Sequence, residues 1–93
     1  MRFEWDENKR LITLQKNGID FADVWRVFED DVLTGLDNRY DYGEIRFLTY
    51  GLLQGVVIAV VHTENEETIR IISARKAENY EQEEFFRKIR NRL

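Results

Sequence analysis

The apolar positions near the start of the chain recur at helical spacing. Leu11, Ile12 and Leu14 give an apolar side to a stretch that follows Asp6, whose carboxylate can cap a helix. Gly18 can adopt the left-handed turn that ends it. The pattern therefore predicts a first helix from residue 7 to about residue 17.

A second helix is predicted after Asp20. Ile19 before this cap and Val24 after it have the spacing of a hydrophobic staple. Four apolar residues then follow the order i, i+3, i+4, i+7, and they are Phe21, Val24, Trp25 and Phe28. We expect this helix to bury one aromatic face in the core.

From residue 32 onward the pattern is that of strands, and a helical pattern returns at Glu78. Four strands are predicted, at residues 32–36, 44–52, 56–63 and 68–74. Short turns at 54–55 and 64–67 favour antiparallel neighbours. The sequence predicts one α+β domain over residues 1–93, with two N-terminal helices, a four-stranded antiparallel meander sheet and a C-terminal helix.

Composition excludes several classes of site. The 93 residues contain no cysteine and one histidine, which excludes disulfides, thiolate sites and multi-histidine metal sites, so we expect no metal or cofactor. The longest apolar run, residues 56–61, is too short to cross a bilayer, and residues 1–6 lack an apolar signal region. A cytoplasmic protein without membrane contact is therefore expected.

The net charge of −4 does not favour nucleic-acid binding, but the charges are unevenly distributed. Residues 21–45 hold seven acids and two arginines. Residues 46–76 hold four basic residues, and their three acids fall in one predicted turn. A mildly basic sheet beside an acidic segment is possible, although an ordinary mixed surface fits composition alone.

His62 is the first candidate for chemistry, because it ends the most hydrophobic predicted strand. An imidazole has an ordinary pKa near 6.5, which suits proton transfer at neutral pH. The alternative is a hydrogen-bonded histidine at the end of a strand, without a catalytic role.

The other candidates are cationic. Arg70 and Arg75 lie on the next strand and its exit, with Lys76 adjacent, and Arg46 lies on the preceding strand. Guanidinium groups match phosphate in geometry, although a cross-strand ion pair would equally explain any one of these arginines.

The pairing of the two strands decides which candidates share a face. If residues 64–67 form a tight turn, His62 opposes Ile69 and shares a face with Ser73 and Arg75, whereas Arg70 points away. A slip of one residue would instead place His62 opposite Arg70. Sequence leaves this register open.

Several segments resemble BrnT family toxins. The resemblance lies in residues 3–6, 16–21, 27–28, 46–47, 51, 60–63 and 69–77, with the run from Arg70 to Ala77 after His62-Thr63 the most specific. Two departures are visible: Asn17 stands where the family commonly has histidine, and residues 78–82 are acidic where it tends to be arginine-rich.

The resemblance implies a RelE-like fold and a growth-arresting ribonuclease toxin. Its implied partner is a ribbon-helix-helix antitoxin (BrnA-like), and operator DNA would be bound only through that antitoxin. It implies His62, Arg70 and Arg75 as catalytic residues, and Arg46, Ser73 and Lys76 as RNA contacts.

The resulting hypothesis is metal-independent RNA cleavage by attack of a ribose 2′-hydroxyl on the adjacent phosphate. His62 would transfer a proton, and Arg70 and Arg75 would stabilise the charge on phosphate. One rival is a weakly active or inactive interaction module that serves antitoxin binding and operon repression. A third, weaker interpretation is a structural domain without nucleic-acid contact.

Overall fold

Eight secondary-structure elements lie within residues 1–92, which are the residues that the computed structural model describes. In chain order they are β1 (Arg2–Trp5), α1 (Glu7–Asn17), a 3-10 helix (Phe21–Glu29), β2 (Leu33–Leu36), β3 (Phe47–Leu53), β4 (Val56–Asn65), β5 (Thr68–Lys76) and α2 (Asn79–Asn91). Among these helices, none is long and apolar enough to span a membrane.

The predicted architecture of two N-terminal helices and a four-stranded antiparallel meander is wrong. The chain opens with strand β1, and the sheet is five-stranded and mixed, in the order β1-β5-β4-β3-β2. Strand β1 pairs in parallel with β5, so that Phe3 lies beside Ile69 and Trp5 beside Ile71. The alternation of polar and apolar side chains over residues 2–5 is too short to predict a strand. The strand with which these residues pair lies more than sixty residues away in the sequence.

The helix boundaries predicted for α1 are confirmed. The Asp6 carboxylate accepts a hydrogen bond from the Lys9 amide, and Gly18, at a φ of +71°, donates its amide to the Leu14 carbonyl. The second helical segment is of the 3-10 type and begins after Asp20, whose carboxylate accepts from the Ala22 amide. Both segments begin where a side chain satisfies a free backbone N–H group.

The sheet has two faces with different coverings. The first face carries Ile58, Val60 and His62 of β4 and packs against the 3-10 helix and α1, which cover it with buried residues such as Val24. The second face carries the alternate residues of β4, from Val57 to Thr63. Helix α2 packs against the Val57 end of this face through Phe85 and Ile89.

Strands β4 and β5 are joined by a two-residue turn, Glu66-Glu67, because Asn65 pairs with Thr68. The four-residue turn expected at 64–67 is therefore too long, and neither candidate register is the observed one. His62 pairs with Ile71, and the neighbouring Val61 pairs with Ser73. Ile72 is thus the extra residue of a β-bulge, which is where one strand presents two residues opposite one.

Candidate active site

His62 is part of the core. Its side chain is fully buried, edge-on to Phe28 at 5.2 Å and stacked on Phe47 at 5.7 Å between ring centroids. Its Nε2 atom lies 2.7 Å from the Thr49 hydroxyl, which also bonds the Thr34 hydroxyl at 2.8 Å. Burial lowers the pKa of His62 to about 4, so the imidazole is neutral at physiological pH.

The predicted cluster of His62 with the cationic residues is not formed. Arg75 pairs with Ala59, which lies on the second face, whereas His62 lies on the first. Lys76 pairs with Ile58 and is exposed at the margin of the first face. The sheet therefore separates His62 from Arg75.

Four of the predicted site residues nevertheless share the second face. Arg70 pairs with Thr63 and Ser73 with Val61, and both belong to that face together with Arg75. Arg46 precedes Phe47, which pairs with His62, so strand alternation places Arg46 on the second face as well. We call Arg46, Arg70, Ser73 and Arg75 the arginine face.

Two cations of the arginine face have weak or exposed anionic partners. Arg70 approaches Glu4 at 3.9 Å, and both side chains are about half exposed. The Arg46 guanidinium bonds Glu44 at 3.0 Å and lies over the Tyr42 ring, 4.0 Å from its centroid. Exposed ion pairs contribute little stability, so an incoming phosphate can compete for these guanidinium groups.

Arg75 has a more organised environment, made with two residues that the sequence analysis did not single out. Its Nη1 and Nη2 atoms donate to the two Glu81 oxygens at 2.8 and 3.0 Å, and the Tyr50 hydroxyl donates to Glu81 as well. Hydrogen bonding by Arg75 lowers the pKa of Glu81 to about 2. Burial and the neighbouring Glu81 carboxylate raise the pKa of Tyr50 to about 12.

A sequence signal for Glu81 did exist. The Glu81 carboxylate accepts from the Glu78 amide at 2.7 Å, in the reciprocal arrangement of a capping box at the start of α2. Acidic residues three positions apart at a helix start are the trace of that motif. No local sequence pattern predicts the hydrogen bonds of Glu81 with Arg75 and Tyr50.

A groove of about 560 Å³ adjoins this network between α2 and the strands β2 and β3. Tyr50 and Glu81 line it, together with Leu33, Leu48 and Phe85. Within residues 1–92, no three His, Cys, Asp or Glu side chains are grouped closely enough to hold a metal ion.

Comparison with known families gives one match over most of the chain. The family described as "Ribonuclease toxin, BrnT, of type II toxin-antitoxin system" matches residues 5–81. No curated protein matches the chain. The matched range contains the whole arginine face and ends at Glu81.

Proposed function

Because the chain belongs to the BrnT family of ribonuclease toxins of type II toxin-antitoxin systems, we propose that it cleaves RNA on the arginine face, without a metal ion. The ribose 2′-oxygen attacks the adjacent phosphorus, and the bond from phosphorus to the 5′-oxygen breaks. The 2′-proton passes to water, and the leaving 5′-oxygen takes up a proton from water. The products are a 2′,3′-cyclic phosphate and a 5′-hydroxyl.

The arginines provide the catalytic interaction in this proposal. Negative charge builds on the phosphate oxygens during attack, and fixed donors aimed at that charge lower the barrier. Arg70 and Arg75 take this role, Arg46 binds a neighbouring phosphate and Ser73 donates its hydroxyl between them. The observation that carries the proposal is that one bulged strand presents Arg70, Ser73 and Arg75 on the same accessible face.

His62 has no contact with RNA in this mechanism. Its ring is fully buried on the opposite face, and its lowered pKa makes it a weak base. Its role here is to hold strands β3 and β4 together through Thr49.

A ribonuclease toxin of a type II toxin-antitoxin system has RNA as its substrate and an antitoxin as its partner. We propose that this antitoxin is a ribbon-helix-helix protein and that the complex binds operator DNA through it. The net charge of −4 disfavours phosphate backbones in general, so RNA binding in this proposal depends on the local positive charge of the arginine face.

The test is to incubate the protein, purified free of antitoxin, with single-stranded RNA in the presence of a chelator. We expect fragments that end in a cyclic phosphate. Arg70→Ala and Arg75→Ala should each lower the rate on the order of 10²–10³-fold. Arg26→Ala is the matched control, because Arg26 is exposed on the 3-10 helix and packs over Trp25.

The same experiment addresses the inactive interaction module. The burial of the sole histidine favours that alternative, since it removes the usual group for proton transfer. Intact RNA at high protein concentration, with antitoxin binding retained, would replace the ribonuclease proposal with the module.

A further inference from the structure

We propose that Glu81 is a positioning residue that holds Arg75 in the orientation needed to bind the scissile phosphate. The inference rests on the proposed ribonuclease activity and adds a group outside the arginine face. Glu81 itself does not contact RNA in this proposal. Its side chain is 7% exposed, whereas that of Arg75 is 42% exposed.

Glu81 is well suited to this task because it is itself fixed. The Tyr50 hydroxyl, the Glu78 amide and the two Arg75 nitrogens all donate to its carboxylate. These partners come from β3, the start of α2 and β5. A network anchored in three elements restricts the long arginine side chain, which would otherwise sample many rotamers.

The hydrogen bonds also define which edge of Arg75 faces a ligand. The end of the guanidinium is engaged by Glu81, and Nη1 additionally donates to the Lys76 carbonyl at 3.2 Å. Within residues 1–92, the Arg75 Nε–H group makes no hydrogen bond. The second Nη2 proton, which does not donate to Glu81, lies on the same side of the guanidinium group as Nε–H. These two donors form a fork that matches two oxygens of a phosphate.

A purely electrostatic role of Glu81 and a positioning role predict opposite effects on the cleavage rate when Glu81 is replaced. Glu81→Gln removes a negative charge beside an anionic substrate, so electrostatics alone predicts tighter RNA binding and no loss of rate. Loss of a preorganised geometry instead predicts a lower kcat, by about 10²-fold for a displacement of about 1 Å, with KM unchanged or lower.

The experiment measures kcat and KM of the full chain on one RNA oligonucleotide for Glu81→Gln and Glu81→Asp. Aspartate keeps the charge but is shorter by one methylene, so it cannot bond Tyr50 and both Arg75 nitrogens together. We expect kcat to fall in both variants. Glu83→Gln is the control, since Glu83 is an exposed acid of the same helix.

A second measurement does not depend on cleavage. In ¹⁵N NMR spectra, we expect the Arg75 Nη–H protons that donate to Glu81 to give resolved, slowly exchanging signals in the wild type, and averaged, rapidly exchanging signals in both variants. Thermal unfolding of each variant establishes that it is folded at the assay temperature. If one variant does not fold, the other supplies the comparison.

Each outcome has a distinct meaning. Unchanged or higher kcat in a folded Glu81 variant, or an Arg75 signal that stays ordered, overturns the positioning role while the ribonuclease proposal stands. A wild-type protein that cleaves no RNA overturns the proposed function. The NMR comparison then still decides whether Glu81 orders Arg75.

Discussion

Arg70 and Arg75 lie on the same face of β5 although five positions separate them. In a regular strand, an odd separation places two side chains on opposite faces. Here Ile71 pairs with His62 and Ser73 with Val61, so the bulge at Ile72 restores the alternation for the residues that follow. Arg70 and Arg75 share a face at this odd spacing only because one residue between them, Ile72, is not counted in the pairing with β4.

Deletion of Ile72 should therefore preserve the arginine face. The other residues of β5 keep their partners on β4, and the strand becomes regular. We expect a folded protein whose cleavage rate stays within about tenfold of wild type, the residual effect coming from the local twist that a bulge adds. Circular dichroism and the RNA assay would check this, and a folded variant without activity would contradict it.

His62→Ala should act on stability. The imidazole fills a site between Phe28 and Phe47 and bonds Thr49, so its removal leaves a cavity and takes away one of the two hydrogen bonds of the Thr49 hydroxyl. We expect a loss of roughly 2–4 kcal/mol in the free energy of unfolding, measured with urea.

Activity separates this structural role from proton transfer. His62→Phe fills the same space with a ring that cannot transfer a proton. Under conditions where it is folded, we expect its cleavage rate to stay close to that of wild type. A loss of several hundredfold in the folded Phe variant would instead return His62 to the catalytic machinery.

The pH dependence of stability should show two separate windows. The folded pKa of His62 is lowered to about 4 from an ordinary value of 6.5, so the unfolded state binds the proton first. Stability is then complete above pH 6.5 and falls between pH 6.5 and 4, by on the order of 3 kcal/mol. Urea unfolding across this range measures the loss, and it should disappear in His62→Phe.

Glu81 contributes to the second window, together with other carboxyls whose pKa is lowered, such as those of Asp20 and Asp37. The pKa of Glu81 is lowered from 4.5 to about 2, so its contribution is present above pH 4.5 and is lost as the pH falls toward 2. Glu81→Gln should reduce the loss of stability in this lower window and leave the upper one unchanged. A Glu81→Gln variant with the wild-type profile below pH 4.5 would show that the Arg75 pair is not formed in solution.

Gly51→Ala should destabilise the protein although glycine lies within a strand. An added Cβ would collide with Val27 and lie 3.1 Å from Val32, because the 3-10 helix packs directly against β3 at this position. We expect a cost of about 1–3 kcal/mol. Gly35→Ala is the control, since a Cβ there meets nothing within 4 Å, and equal costs at the two positions would contradict the packing argument.

The sequence by itself determined the elements whose signals are local. Caps at Asp6 and Asp20, the turn at Gly18 and the β-branched run of β4 located α1, the 3-10 helix and β4. The residue types also identified arginines suited to phosphate, and the family resemblance named the activity. These features depend on neighbours within a few positions, which is the range over which propensity and periodicity carry information.

Only the tertiary structure decided how these elements are combined. The parallel pairing of β1 with β5, the bulge at Ile72, the burial of His62 and the meeting of Arg75 with Glu81 and Tyr50 all depend on contacts between distant segments. A shift of one residue in strand pairing reverses every side chain that follows. For that reason the candidate residues could be named from the sequence, but their division between two faces of the sheet could not.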